Sequence, residues 1–171
     1  ENLPAPSEGQ FLFYDTEDGT TRVHLLVDGP TVWLPQNAIA ELFDTSKQNI
    51  GQHIKNILED SELTENSVVK DYFTTASDGK KYRTKHYNLD MLLAIGFRVR
   101  SPRGVQFRRW ATETLREYLV KGFVLNDERL KAAETTFGKD YFDELLERIR
   151  AIRASERRFY QKITDIYATS S

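Results

Sequence analysis

The 171 residues, 39% hydrophobic and 29% charged, suffice for one domain of ordinary size with a real core, plus an appendage. No run of eighteen apolar residues is present to cross a membrane, and the lack of cysteine excludes disulfides and thiolate metal sites. Net charge is -2, yet residues 80–121 hold eleven Lys or Arg against three acids, a local +8 set against -10 elsewhere, and that segregation suits a polyanionic partner.

In chain order, residues 1–10 carry two prolines and no periodicity, and read as a disordered lead-in. They are acidic and polar, unlike a signal peptide, so a cytoplasmic location is expected. The start at Glu1 rather than Met reads as a processed or trimmed end. Apolar runs at 11–15 and 22–27 flank the turn Glu17-Asp18-Gly19, and Asp28-Gly29-Pro30 turns into a third run at 31–34. A three-stranded N-terminal meander is predicted.

Pro35 is placed to open a helix, with Ala38, Ile39, Leu42 and Phe43 on one face. Asp44-Thr45-Ser46 interrupts it. Ser46 is a good N-cap for a second helix reaching about Glu59, with Ile50, Ile54, Ile57 and Leu58 as its buried stripe. The opposite face carries Lys47, Gln48, Asn49, Gln52, Lys55 and Asn56. Runs at 68–75 and 81–87, joined by Ser77-Asp78-Gly79-Lys80, predict a hairpin. Residues 89–99 predict an apolar helix in which Leu92, Leu93, Ile95 and Phe97 are deeply buried.

Ser101-Pro102 supplies an N-cap and a first-turn proline for a long helix ending at Gly122. Its apolar face is Phe107, Trp110, Ala111, Thr114 and Tyr118, with Leu115 and Leu119 beside it. Residues 126–139 read as a polar linker with room for a helical turn. A single helix then follows over 140–167, with Phe142, Leu145, Ile149, Ile152, Phe159, Ile163 and Ile166 at heptad spacing and Glu156 as the break. The fold class is thus α+β: a winged helix-turn-helix over 11–125, a linker at 126–139, and a long helix in 140–171 for dimerisation or an interdomain coiled coil.

The chemistry concentrates at residues 35–55. Ala40 is small enough to let two helices cross, and Phe43, Ser46, Ile50 and Ile54 complete a helix-turn-helix layout. At the turn, a position often taken by Gly, stands Asp44, which tolerates left-handed geometry less comfortably. Ser46, Lys47, Gln48, Asn49 and Gln52 are the side chains expected to meet base edges, since amides pair with adenine and lysine reaches guanine. Gly51 leaves room for close approach at a helix cost of about 1 kcal/mol. His53 could meet a phosphate, but packing is the better reading.

A hairpin after a recognition helix is a wing. Lys80 lies at its tip, and Lys81, Arg83 and Lys85 alternate along one strand face, as phosphate contacts require. The competing reading is an edge strand guarded against aggregation by its charges. Lys55, Arg100 and Arg103 are expected to extend the backbone-contacting surface, with Arg98, Arg108 and Arg109 nearby. The alternative for the basic segment is a solvated face with arginines lying over a core.

No glycine loop, histidine cluster or singled-out carboxylate pair points to catalysis, so neither an enzyme, a metal nor a cofactor is expected. A carboxylate dyad assembled from distant segments stays open.

The segments Thr31-Val-Trp-Leu-Pro, Lys47-Gln-Asn-Ile-Gly-Gln-His-Ile-Lys-Asn-Ile, Tyr87-Asn-Leu-Asp-Met-Leu, Gly96-Phe-Arg-Val-Arg-Ser, Gln106-Phe-Arg-Arg-Trp-Ala and Arg153-Ala-Ser-Glu-Arg-Arg-Phe-Tyr-Gln-Lys together resemble the RhuM family. The resemblance runs from about residue 11 to the end and implies a bacterial virulence-associated protein of pathogenicity islands and mobile elements. Members are usually longer, which implies a further C-terminal part. The pattern Ser-x-x-Gly-x-Gln-Phe-x-x-Trp-Ala is also distantly similar to the DNA-binding domains of phage antirepressors of the Bro-N and KilA-N type.

Three functions follow as expectations. The first is a transcription regulator that binds double-stranded DNA as a homodimer through 140–167, away from any membrane. The second is an antirepressor-like module that binds a regulator protein. The third is an enzyme whose chemistry lies in a C-terminal part. Salt dependence separates the first two, because phosphate contacts weaken steeply with salt.

Overall fold

In the computed structural model of the chain, residues 11–15, 19, 21–131 and 141–170 are described, with backbone alone for 11–15. The expected lead-in at 1–10, Glu17 and Asp18 of the expected turn, and most of the expected linker (132–139) lie outside the described residues. The chain is α+β and divides into two compact units, Glu1–Val124 and Leu125–Ser171.

The first unit is built on one antiparallel sheet of order β1-β2-β3-β5-β4. Its strands are β1 (Phe11–Asp15), β2 (Arg22–Asp28), β3 (Thr31–Pro35), β4 (Val69–Thr75) and β5 (Lys81–Asn88). Between β3 and β4 the chain forms α1 (Gln36–Leu42), α2 (Lys47–Glu59) and a single turn, α3 (Glu65–Val68); after β5 come α4 (Leu89–Arg98) and α5 (Pro102–Lys121). The meander, both early helices and the hairpin stand where the pattern predicts them. The turn α3 is an addition: Val68, expected to open β4, closes this turn and is fully buried.

Strand alternation assigns the two sheet faces. Leu34 pairs with Tyr87, and Tyr87 with Val69, so these side chains share one face with Val32. Val32 and Leu25 border the same cavity as Leu42, Phe43, Leu92 and Phe107, which makes this the helix-bearing face. The core between sheet and helices holds Leu34, Ile39, Ile50, Ile57, Met91 and Ile95 at 0% exposure, each contributing about 1.5–3 kcal/mol by burial.

The helix ends are local chemistry. Asn88 caps α4, its Oδ1 accepting the Met91 amide at 3.2 Å. Ser101 caps α5 by accepting the Gly104 amide at 3.2 Å, Pro102 fills the first turn, and Gly122 closes the helix at φ +81°. A Cβ at Gly104 would collide with the Val99 carbonyl, and one at Gly96 with the Phe107 ring. These two glycines let α4 and α5 close on each other.

Two burial expectations need correction. Phe97 is 56% exposed, because it points out of α4 onto the edge of Phe107, ring centroids 5.3 Å apart. Along the apolar face of α5, Ala111 is buried and Phe107 half-buried, while Trp110, Leu115, Tyr118 and Leu119 are exposed.

The second unit contains the turn α6 (Asp127–Lys131) and the helix α7 (Phe142–Thr169). No residue of α7 is buried. Its surface carries Glu144–Arg148 and Glu147–Arg150 pairs at one-turn spacing, each worth a few tenths of a kcal/mol. No helix among the described residues is long and apolar enough to cross a membrane.

Candidate nucleic-acid interface

The turn between α1 and α2 is closed by two backbone bonds. The Thr45 amide donates to the Ala40 carbonyl at 3.0 Å and the Asp44 amide to the Glu41 carbonyl at 3.2 Å. Asp44 itself adopts φ +50°. Those two bonds and a left-handed residue make a Schellman ending, with Asp in the seat that glycine fills most easily. Ser46 then starts α2, its Oγ accepting the Asn49 amide at 3.1 Å. Ile50, Ile54 and Ile57 are buried, as is Ala40 at the crossing.

The end of α1 is held from α5. The Ser101 hydroxyl donates to the Phe43 carbonyl. Arg103 Nη1 donates to the Glu41 carbonyl at 2.5 Å and the Leu42 carbonyl at 3.5 Å, and its Nη2 to Thr21 Oγ1 at 3.1 Å. Arg103, expected to contact phosphate, thus directs these donors to a helix terminus inside the first unit. Gly51 also differs from expectation. A Cβ there would stand 2.7 Å from Gln36 Nε2, so the close approach it permits is that of α1.

Ser46, Lys47, Gln48, Asn49 and Gln52 are all exposed. Two have local partners: Asn49 Nδ2 donates to Thr45 Oγ1 in the turn before α2 at 2.9 Å, and Gln52 Nε2 to Asn56 Oδ1 within the helix at 2.9 Å. The Gln48 and Lys47 side chains reach into solvent. His53 is half-buried, and desolvation together with the Arg98 charge lowers its pKa below 6.5, which favours the neutral ring.

The hairpin tip is closed by local bonds. Gly79 takes φ +78°, the Lys80 amide donates to Asp78 Oδ1 at 2.9 Å, and Tyr82 Oη donates to Asp78 Oδ2 at 2.8 Å. Along β5, Lys81, Arg83 and Lys85 stand at every second position with Tyr87 and so belong to the helix-bearing face. Arg83 pairs with Asp71 at 2.9 Å, and Lys85 with Glu65 at 3.8 Å; on α2, Lys55 pairs with Glu59 at 3.8 Å. Lys47, Lys80, Lys81 and Arg100 are exposed and make no ion pair among the described residues. Arg98 bonds Asp60 and Glu62, and Arg108 the Gly96 and Val99 carbonyls; both arginines tie α4 to its neighbours.

The opposite face of the sheet holds a cluster that no motif announces. Asp28 accepts from Lys70 Nζ at 2.6 Å and Tyr72 Oη at 2.5 Å, and these bonds lower its carboxyl pKa. Lys70 Nζ also lies 5.9 Å from the Trp33 ring centroid and 5.2 Å from that of Tyr72. The cluster staples the β2–β3 turn to β4, 42 residues along the chain.

A family model described as the virulence protein RhuM family matches residues 67–171, from the end of α3 through α7. The match includes the basic hairpin and leaves α1 and α2 outside it. No curated protein and no solved structure matches the chain.

Proposed function

The chain belongs to the RhuM family of virulence proteins, and from that premise we propose that it is a DNA-binding transcription regulator with α1–α2 as a helix-turn-helix and the β4–β5 hairpin as its wing. One observation carries this reading. The polar N-terminal half of α2 is open to solvent, and the basic side chains of β5 belong to the sheet face on which the helices lie.

In the proposed complex, α2 enters the major groove. Gln48 and Gln52 pair with adenine edges and Lys47 with guanine, each good bidentate pair discriminating by about 1–3 kcal/mol. Gln52 and Asn49 give up their local partners Asn56 and Thr45, and Ser46 keeps the helix capped while its hydroxyl hydrogen is offered outward. Lys80 and Lys81 meet phosphates directly. Arg83, Lys85 and Lys55 do so by exchanging exposed ion pairs worth about 0–1 kcal/mol each. Two chains associate through α7, so that two α2 helices meet half-sites one DNA turn apart, in the cytoplasm.

The test is selection of bound duplexes from a random library at two salt concentrations, beside a Gln48→Ala, Gln52→Ala variant. A consensus that the variant loses supports the reading; unenriched pools at low salt overturn it. That second result would favour the antirepressor-like module, for which the exposed Leu115, Tyr118 and Leu119 of α5 offer a protein-binding face.

A further inference from the structure

We propose that the cleft between the sheet and helices α1, α4 and α5 is a binding site for a small aromatic effector. Its volume is 430 Å3, within the roughly 300–1,000 Å3 of ligand pockets. Five segments wall it: Leu25 from β2, Val32 from β3, Leu42 at the end of α1, Leu92 from α4, and Phe107 and Trp110 from α5. Val32 and Leu92 are buried, Leu25, Leu42 and Phe107 are half-buried, and Trp110 is exposed. The apolar exposure thus grows from the floor towards the rim.

The lining is mostly apolar, with Arg103 and Gln106 as its polar members, so an apolar ligand filling the open cleft removes apolar surface from water. Several elements converging on one floor suit a compact molecule. A partner helix would need an elongated stripe, and the exposed half of α5 beyond residue 111 offers that elsewhere. Phe107 meets Phe43 edge-on at 6.1 Å and Trp110 at a tilt at 6.0 Å, so the cleft is bordered by a cluster of aromatic rings of the kind that an aromatic ligand joins. Gln106 is exposed and borders the same cleft, and its amide can donate to or accept from one polar group on the ligand.

The site also adjoins the α1–α2 turn. Leu42 and Phe43 border the cleft, and the carbonyls of Glu41, Leu42 and Phe43 are the ones held by Arg103 and Ser101. A ligand resting on Leu42 and Phe107 presses on the residues that set where Asp44 turns and where α2 begins. This coupling rests on the DNA-binding reading; occupation of the cleft does not.

The experiment is a titration of the full chain with N-phenyl-1-naphthylamine, a neutral fused-ring dye that the basic surface does not attract, without DNA. One saturable site is expected. Leu25→Trp, which fills the cleft from β2, and Gln106→Trp, which closes its mouth from an exposed position, should each weaken binding at least tenfold. Circular dichroism identifies any variant that fails to fold, and the surface substitution at 106 keeps the test decisive if the one at 25 does not fold. A Leu115→Ser, Leu119→Ser variant should bind as the parent does. Dye binding that survives both tryptophans, that is lost with the two serines, or that never saturates overturns the proposal. Duplex binding is read separately, so failure of one reading is distinguishable from failure of the other.

Discussion

Gln36 occupies the space that a side chain at position 51 would fill. Its Nε2 donates to the Lys47 carbonyl at 2.7 Å and lies 2.7 Å from where a Cβ on Gly51 would stand. Gly→Ala inside a helix ordinarily gains about 1 kcal/mol. Here it must push away an amide whose bond is worth about 0.5–1.5 kcal/mol, and the two effects oppose. Gly51→Ala alone should therefore change stability little, whereas the same change in a Gln36→Ala background should gain about 1 kcal/mol. Urea denaturation of the four proteins reads the coupling, and additive effects would rule out the displacement.

Asp44 and glycine make a simpler comparison. A non-glycine residue at φ +50° carries a left-handed cost of about 1 kcal/mol, less for Asp than for a branched side chain. Asp44→Gly should raise the denaturation midpoint by the equivalent of up to about 1 kcal/mol, and Asp44→Val should lower it. Equal midpoints for glycine and valine would show that the turn is not strained.

What could be read from the sequence is what is local. Ser46, Ser101-Pro102 and Gly122 mark helix ends because a cap needs partners within four residues, and Asp78-Gly79 marks a hairpin for the same reason. The exposed polar face of α2 follows from the isoleucine stripe opposite it. What could not be read depends on distant partners. Arg103 bonds a carbonyl 62 positions away and Arg98 a carboxylate 38 positions away, so their charges look alike in the chain and differ in the fold. Asp28, Lys70 and Tyr72 carry no shared motif; strand register alone unites them. Phe97 is apolar in an apolar helix, and its exposure depends on which side α5 packs.

The basic residues should separate by salt. Lys81→Ala removes a proposed phosphate contact and should flatten the log–log salt slope of duplex binding by about 0.9, with stability unchanged. Arg103→Ala removes donors from the end of α1 and should cost about 1–3 kcal/mol of stability, with that slope unchanged. Binding isotherms at four salt concentrations, paired with urea melts, check both. A flattened slope for Arg103→Ala would return that residue to the DNA surface.

His86 gives the fold an acid-sensitive element. It is 5% exposed, with Nδ1 3.0 Å from the Thr84 carbonyl and its ring 4.9 Å from that of Tyr72. Burial lowers its pKa from 6.5, outweighing the opposing effects of the Thr84 carbonyl and Asp71. Below pH 6.5 the unfolded chain therefore takes up a proton that the folded chain resists, and stability falls until the folded-state pKa is passed. His53 adds a shift of the same sign. His86→Phe, which keeps a ring against Tyr72, should flatten the loss of urea midpoint between pH 7 and 5. An unchanged slope would assign the acid limb to other groups.

The long helix makes the last prediction. A 28-residue helix with no buried residue has little tertiary packing of its own, and packing of one apolar face is what ordinarily stabilises a helix. Phe142, Leu145, Ile149, Ile152, Glu156, Phe159, Ile163 and Ile166 alternate by three and four, the spacing that two parallel copies bury between them, with Glu156 the one polar member. In such a pair Glu156 meets its own counterpart across the seam, and two like charges there weaken association. Glu156→Leu should therefore tighten self-association at least tenfold, and Ile152→Asp should weaken it by as much. Sedimentation equilibrium of the full chain measures both. A monomer unaffected by either substitution would remove the dimer, and with it the expectation of paired half-sites one turn apart.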